Sequence, residues 1–322
     1  MTQGFDIISG SIQPEMAKDI AKILNKQLTK TELRKFPNGE IYARLEQTIR
    51  RKDVFILQSC SNSDAYSLND SLMEVLCLVD AAKRASAEKI AVVLPLLPYA
   101  RQDRKARERE AISAALVLKL LSASGVSRVI TIDMHSAQTQ AAFDGPLENI
   151  TAQHLFLNDI RKMINSNKQD FVVIAPDAGS VKKSSKIAEE LGLQIVFMPK
   201  TRAEEDSSNI SRPNSVLGVK NKKCIIIDDM IDTGGTIITA AHTLKQSGAN
   251  DITIYATHGI FSNNAAKRIL ESDIDTVIVT NTLPQKDNIA ILGNKLKVIS
   301  VTNLLAKTIK HVHLGESLLN ID

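Results

Sequence analysis

Between Cys224 and Thr236 the sequence sets four apolar residues, an acidic pair and a Thr-Gly-Gly-Thr turn in that order. The run Cys224 to Ile227 suits a strand buried on both faces, and Ile237 to Leu244 has helical spacing, so the turn joins the carboxyl end of a strand to a helix N-terminus. Such a junction presents unpaired N–H groups and partial positive charge to an anion, and open parallel sheets bind ligands there. Gly234 and Gly235 permit close backbone approach, and the hydroxyls of Thr233 and Thr236 can donate to phosphate oxygens. The carboxylates of Asp228, Asp229 and Asp232 would repel that phosphate unless they accept hydroxyl hydrogen bonds or hold a divalent cation. A pentose 5-phosphate meets both needs, with its 2- and 3-hydroxyls on Asp228 and Asp229 and its phosphate in the turn. The competing reading is a strand-to-helix turn capped by acid, but capping calls for one acid and this stretch has three.

Other chemistry-bearing residues fall at similar junctions. Phe36, Asn38 and Glu40 surround a Pro/Gly turn in which a ring can stack on a purine and polar groups can pair with its edge; a purely structural turn has the same composition. A basic segment with Arg101, Gln102, Asp103 and Lys105 follows the apolar run Ile90 to Leu94 and precedes a helix from Ser113. It is placed to meet a triphosphate, or else forms a solvated face. Asp133-Met134-His135 follows Arg128 to Ile132 and repeats the apolar-run-then-Asp-Met order of Asp229-Met230, which suggests a duplicated α/β unit. His135 is either a ligand or a satisfied structural imidazole. Pro176-Asp177-Ala178-Gly179-Ser180 closes the run Phe171 to Ala175, and the polar stretch Pro199 to Pro213 is long enough for a lid or binding loop, the alternative being a hairpin tip.

Apolar runs at Phe5–Ser9, Val54–Gln58, Ile90–Leu94 and Arg128–Ile132 alternate with helical patterns from Pro14, over 67–84 and from Ser113. In the second half strands are expected at Phe171–Ala175, Leu193–Phe197, Cys224–Ile227, Ile252–Ala256 and Thr276–Thr280, with helices over 152–164, around Ile187, over 265–270 and over 303–313. The 322 residues suit two domains, 1–150 and 151–322. Forty basic against thirty-six acidic residues is too mild a surplus for a nucleic-acid surface. Cys60, Cys77 and Cys224 lie too far apart in sequence for a disulfide framework or metal site. The apolar run Ile90 to Leu97 is short and broken by Pro95, so no membrane span is expected, and with no signal peptide the protein is expected to be cytoplasmic.

Together these motifs resemble those of the ribose-phosphate diphosphokinases, which make phosphoribosyl diphosphate, over nearly the whole chain. Phe36, Asn38 and Glu40 match an adenine-binding Phe-x-Asn-x-Glu pattern, and Tyr99 to Asp103 a Tyr-Ala-Arg-Gln-Asp segment. Asp133 and His135 match Asp-x-His, and Pro176, Asp177 and Gly179 match Pro-Asp-x-Gly. Type I phosphoribosyltransferases share the Asp228 to Thr236 loop but lack the Arg-Gln-Asp and Asp-x-His elements. The resemblance implies an α/β fold of two tandem phosphoribosyltransferase-like domains, each a mainly parallel sheet flanked by helices. It implies transfer of the diphosphoryl group of MgATP to the anomeric hydroxyl of ribose 5-phosphate, releasing AMP, for nucleotide biosynthesis. ATP contacts would come from Phe36, Asn38, Glu40, Arg101, Gln102, Asp103, Lys105 and His135. Ribose 5-phosphate contacts would come from Asp228, Asp229, Asp232, Thr233, Gly234, Gly235 and Thr236, and Mg²⁺ contacts from His135 and Asp177. The family's Lys-Arg-Arg loop reads Lys200-Thr201-Arg202 here, making Lys200 and Arg202 catalytic together with His135. A homo-oligomer, by resemblance a hexamer, is implied, with no nucleic-acid or membrane partner.

Ser180 departs from a common second Gly, and Leu314 to Leu319 departs from a Ser-Val-Ser segment. In the family that segment joins elements matching Thr48-Ile49-Arg50 and Lys83-Arg84-Ala85-Ser86 in an effector site, so weak phosphate activation and weak allosteric ADP inhibition are expected. Retention of Lys200, Arg202, His135 and the intact loop speaks against a non-catalytic relative of the synthetases.

Overall fold

Strands made of uninterrupted Ile, Val and Leu can bury both faces only where helices cover both sides of a sheet. The chain meets that demand twice. The structure, a computed structural model, describes residues 4–164, 167–177, 179–198, 216–319 and 321. In chain order the elements are β1 Phe5–Ser9, α1 Pro14–Ile23, β2 Thr31–Lys35, β3 Ile41–Leu45, β4 Asp53–Leu57, α2 Leu68–Arg84, β5 Lys89–Val93, α3 Ser113–Ser124, β6 Arg128–Ile132, β7 Leu147–Ile150 and α4 Gln153–Ile164. They continue with β8 Phe171–Ala175, α5 Val181–Leu191, β9 Gln194–Phe197, β10 Lys223–Ile231, α6 Gly235–Gln246, β11 Asp251–Gly259, α7 Ala265–Leu270, β12 Thr276–Thr280, α8 Lys286–Leu292, β13 Leu296–Ile299 and α9 Thr302–Leu314.

Two compact units result, one of Met1–Ala152, Thr282–Pro284 and Ser300–Asp322, the other of Gln153–Asn281 and Gln285–Ile299. The first division lies close to the boundary expected after residue 150. The last segment, expected with the second half, groups instead with the first unit.

Among the described residues the first unit carries a five-stranded parallel sheet in the order β1-β4-β5-β6-β7. Its core packs Val54, Ile56, Val92 and Leu94 with Val75, Leu78 and Val79 of α2 and Val117, Leu118 and Leu121 of α3. A capping box starts α2: Asp70 N–H donates to Ser67 Oγ, and Ser67 N–H to the Asp70 carboxylate. Lys35 Nζ pairs with that carboxylate at 2.7 Å and fastens the antiparallel β2–β3 hairpin to the helix start.

The second unit carries a six-stranded parallel sheet in the order β13-β12-β11-β10-β8-β9. The chain steps outward from β8 to β9, then returns to β10 and proceeds the other way, so the strand order reverses between β8 and β10. Such a reversal opens a crevice at the carboxyl ends of the two strands. The β10–β8 ladder ends at Ile226, whereas β10 pairs with β11 through Ile231. β10 therefore runs past its apolar stretch, and Asp228 and Asp229, expected in the loop, lie on the strand itself.

Candidate functional site

The reversal point gathers two of the expected turns. On β10, Asp228 and Asp229 are half-buried, and Asp229 N–H donates to Asp228 Oδ1 at 2.8 Å. Burial first, and then the neighbouring Asp229 carboxyl, push Asp228 up to about 7, against the pull of Lys183. Near neutral pH the Asp228 carboxyl is therefore only partly ionised, because a second acid beside it and its own burial both oppose its charge. Beyond them Gly234 has φ +75° and forms the N-cap of α6; a Cβ there would lie 3.4 Å from Ile269 as well as straining the backbone. Ile238 N–H donates to Gly234 O at 3.0 Å, the first bond of the helix. The amides of Gly235, Thr236 and Ile237 precede it, at the positive end of the helix dipole. The arrangement offers carboxylates for hydroxyls and an amide-lined turn for an anion.

After β8, Asp177 closes the neighbouring turn. Ser180 N–H donates to Asp177 Oδ1 at 2.8 Å, Ser180 Oγ donates to Asp177 O at 2.8 Å, and Asp177 N–H donates to Ser180 Oγ at 3.3 Å. Ser180, noted in the sequence as a departure, thus supplies the turn's own bracing. A cavity of about 390 Å³ lined by Lys168, Phe171, Gln194 and Lys222 sits at the amino-terminal end of the same strands, away from these turns.

In the first unit, Phe36 to Glu40 form the β2–β3 turn, closed by Phe36 N–H to Glu40 O at 2.8 Å, and Glu40 N–H donates to Asn38 Oδ1 at 3.2 Å. The guanidinium of Arg34 lies 4.5 Å from the ring centres of both Phe36 and Tyr42. A flat cation set against both rings, themselves edge to face with centroids 5.7 Å apart, holds the Phe36 face in place. Sequence reading passed over Arg34 and Tyr42, although they are opposed residues of the hairpin register and alternation could have paired them. Arg101 and Lys105 are exposed in the segment after β5. Gln102 accepts from Ser113 Oγ at 2.6 Å and so anchors the start of α3, and Asp103 is half-buried beside it in sequence.

His135 is exposed after β6, the strand beside β5. Its turn is held by Asp133, which adopts φ +41° and accepts from Thr151 Oγ1 at 2.7 Å and Ala152 N–H at 3.1 Å. Asn149 Oδ1 accepts from Met134 N–H at 2.8 Å. Another buried acid, Glu74, accepts from Ser11 N–H and Oγ at 2.8 Å and from Gln58 Nε2 at 2.6 Å, joining the carboxyl ends of β1 and β4. Its burial raises its proton affinity.

Lys200 and Arg202 lie outside the described residues. Among the described residues no group of three or more His, Cys, Asp or Glu side chains is set to hold a metal ion. His135 and Asp177 are each exposed, and Mg²⁺ in general keeps phosphate and water ligands rather than an all-protein cage. No described helix is long and apolar enough to cross a membrane.

A family model described as the N-terminal domain of ribose phosphate pyrophosphokinase matches residues 5–125. Another, described as a phosphoribosyl synthetase-associated domain, matches residues 209–321. The chain is 39% identical to a ribose-phosphate pyrophosphokinase of Ralstonia nicotianae, over 99% of this chain and 98% of that one. It is 40% identical to a ribose-phosphate pyrophosphokinase of Thermotoga maritima, over 97% of both. A crystal structure of phosphoribosylpyrophosphate synthetase from Mycobacterium smegmatis superposes with a TM-score of 0.88 at 42% identity, covering 97% of this chain and all of that one.

Proposed function

This chain belongs to the ribose-phosphate pyrophosphokinase family, and from that membership we propose how its residues divide the formation of phosphoribosyl diphosphate between them. The observation that carries the assignment is the acidic pair followed by the Gly234-capped turn at the β8/β10 reversal. Ribose 5-phosphate binds there, with its 2- and 3-hydroxyls donating to Asp228 and Asp229 and its phosphate accepting from the Thr233 to Thr236 turn, with Asp232 alongside. ATP is bound by the first unit's residues: Phe36 stacks on the purine, Asn38 and Glu40 pair with its edge, and Arg101, Gln102, Asp103, Lys105 and His135 serve the triphosphate.

The anomeric hydroxyl oxygen attacks the β-phosphorus of ATP, the bond from that phosphorus to the α–β bridging oxygen breaks, and the oxygen leaves with AMP while the hydroxyl proton is released. Little covalent work falls to the protein, so alignment and well-placed cations carry the rate. Lys200 and Arg202 are assigned to neutralise charge on the transferring oxygens. Mg²⁺, bound with the triphosphate and contacted by His135 and Asp177, would screen its charge and polarise the phosphorus. Assembly into a homo-oligomer, a hexamer by resemblance, belongs to the same proposal and is read by light scattering. The decisive assay follows AMP from ATP with and without ribose 5-phosphate. Release that requires the sugar phosphate supports the assignment, and release indifferent to it rejects it.

A further inference from the structure

Two basic side chains outside the sequence motifs hold the main chain of the acidic loop. Lys183 Nζ, from the first turn of α5, donates to Asp228 O at 3.1 Å. Arg268 Nη1, from α7, donates to Thr233 O at 3.1 Å. The two carbonyls bracket the loop, one at the acidic pair and the other just before the Gly234-Gly235 turn. In a trans peptide the carbonyl and the following N–H point in opposite directions, so fixing one aims the other. Gripping Asp228 O sets the Asp229 N–H, which in turn donates to Asp228 Oδ1 at 2.8 Å and orients that carboxyl group. Gripping Thr233 O turns the Gly234 N–H away from α7.

We propose that Lys183 and Arg268 are positioning residues of the ribose 5-phosphate site, each fixing one end of the loop through a main-chain carbonyl. This rests on the ribose 5-phosphate assignment made above. Lys183 has a second effect through its charge. The charged groups that act on the Asp228 carboxyl are Asp229 on its own strand and Lys183 on α5, while Asp232, Asp177, His258 and Arg268 lie on adjoining segments. Burial and the Asp229 carboxyl raise the proton affinity of Asp228, and the Asp229 N–H and Lys183 lower it. Lys183 therefore keeps the pair ionised, and ready to accept hydroxyls, at lower pH than it would be alone.

The test uses the full-length protein with Lys183→Met, Lys183→Arg, Arg268→Met and Arg268→Lys. Steady-state kinetics for both substrates across pH and melting temperatures are measured. Loss of a charge-assisted hydrogen bond to the loop is expected to raise KM for ribose 5-phosphate about tenfold in each methionine variant, with KM for ATP nearly unchanged. Lys183→Arg and Arg268→Lys should recover most of that loss. Lys183→Met should also move the pH midpoint of the ribose 5-phosphate KM upward, a change Arg268→Met should not produce. A purely structural role would lower the melting temperature and raise both KM values together, and that outcome, or a wild-type ribose 5-phosphate KM in the methionine variants, overturns the proposal. Where a methionine variant fails to fold, Lys183→Gln and Arg268→Gln replace it and are judged by the same KM split. A wild-type enzyme that forms no AMP on addition of ribose 5-phosphate sinks the parent assignment instead.

Discussion

Asp228 combines two demands that pull against each other. It must accept a sugar hydroxyl as a carboxylate, yet burial and Asp229 push its proton affinity up to about 7. Ionisation of a group so shifted becomes complete only as pH rises through that value, so affinity for ribose 5-phosphate should increase from pH 6 to pH 8. The substrate's own phosphate also ionises near this range, at about 6, so the comparison is with Asp228→Asn, which should bind more weakly and lose the Asp228 part of the pH dependence. An unchanged profile in Asp228→Asn would remove the raised proton affinity of Asp228 from the explanation. The same shift acts on stability with a defined sign. A carboxyl whose folded pKa is raised above its ordinary 3.8 favours the fold below that value and loses the contribution as pH climbs through about 7. Lys200 poses a different residue-scale question, because its assigned role is confined to the transition state. Lys200→Ala should lower kcat by roughly two to three orders of magnitude with small changes in either KM. Single-turnover measurements that show wild-type chemistry in this variant would reject the role.

The β2–β3 hairpin is the element on which nucleotide recognition is placed. Its Phe36 ring is held by Arg34 and Tyr42 rather than by a core, and Lys35 ties it to the start of α2. Base stacking on an aromatic ring is worth about 1–3 kcal/mol, so Phe36→Ala should raise KM for ATP about tenfold or more. Arg34→Ala loses the supporting cation–π contact, about 0.5–2 kcal/mol, together with an exposed ion pair to Glu32, and should raise it less. Ribose 5-phosphate KM should stay put in both; equal changes for the two substrates would move adenine recognition off this hairpin. Much of the element order was legible in the sequence because strands buried on both faces appear as uninterrupted apolar runs, as at Val172 to Ala175 and Val277 to Val279. What escaped was short or polar. β7 contains Glu148, paired with Arg128, and Asn149, spent on Met134 N–H; β13 is an edge strand of four residues with Lys297 exposed. β10 overran its expected end because pairing with β11 continues through Asp228 and Asp229, where the functional charges break the apolar pattern. The motif residues themselves could be picked out by type and spacing. Lys183, Arg268 and Asn149 could not, since each acts on backbone far away in sequence and carries no local signal.

At the scale of the molecule, the chain returns to its first unit after building the second. Helix α9 buries Leu304, Leu305, Ala306 and Ile309, packs against α1, and ends with His313 Nδ1 2.9 Å from Asp53 Oδ2 and its ring 4.7 Å from that of Phe5. Residues 1–152 are therefore not the whole of the first unit, and its stability depends on a segment that follows the second unit in the chain. Truncating a fully buried leucine to alanine costs about 2–5 kcal/mol through lost transfer energy and the cavity left behind. Leu305 is fully buried, so Leu305→Ala in the full chain should lower hydrogen-exchange protection in α1, β1 and β4. Protection in β10, β11 and β12, whose core is formed by residues of the second unit, should remain near wild type. By the same reasoning a fragment ending at residue 152 should bind a hydrophobic dye and lack a sharp melting transition, because the faces of α1 and β1 that α9 covers would be open to water. Equal loss of protection in both sheets of Leu305→Ala would mean that the units unfold as one body and that α9 does not belong energetically to the first.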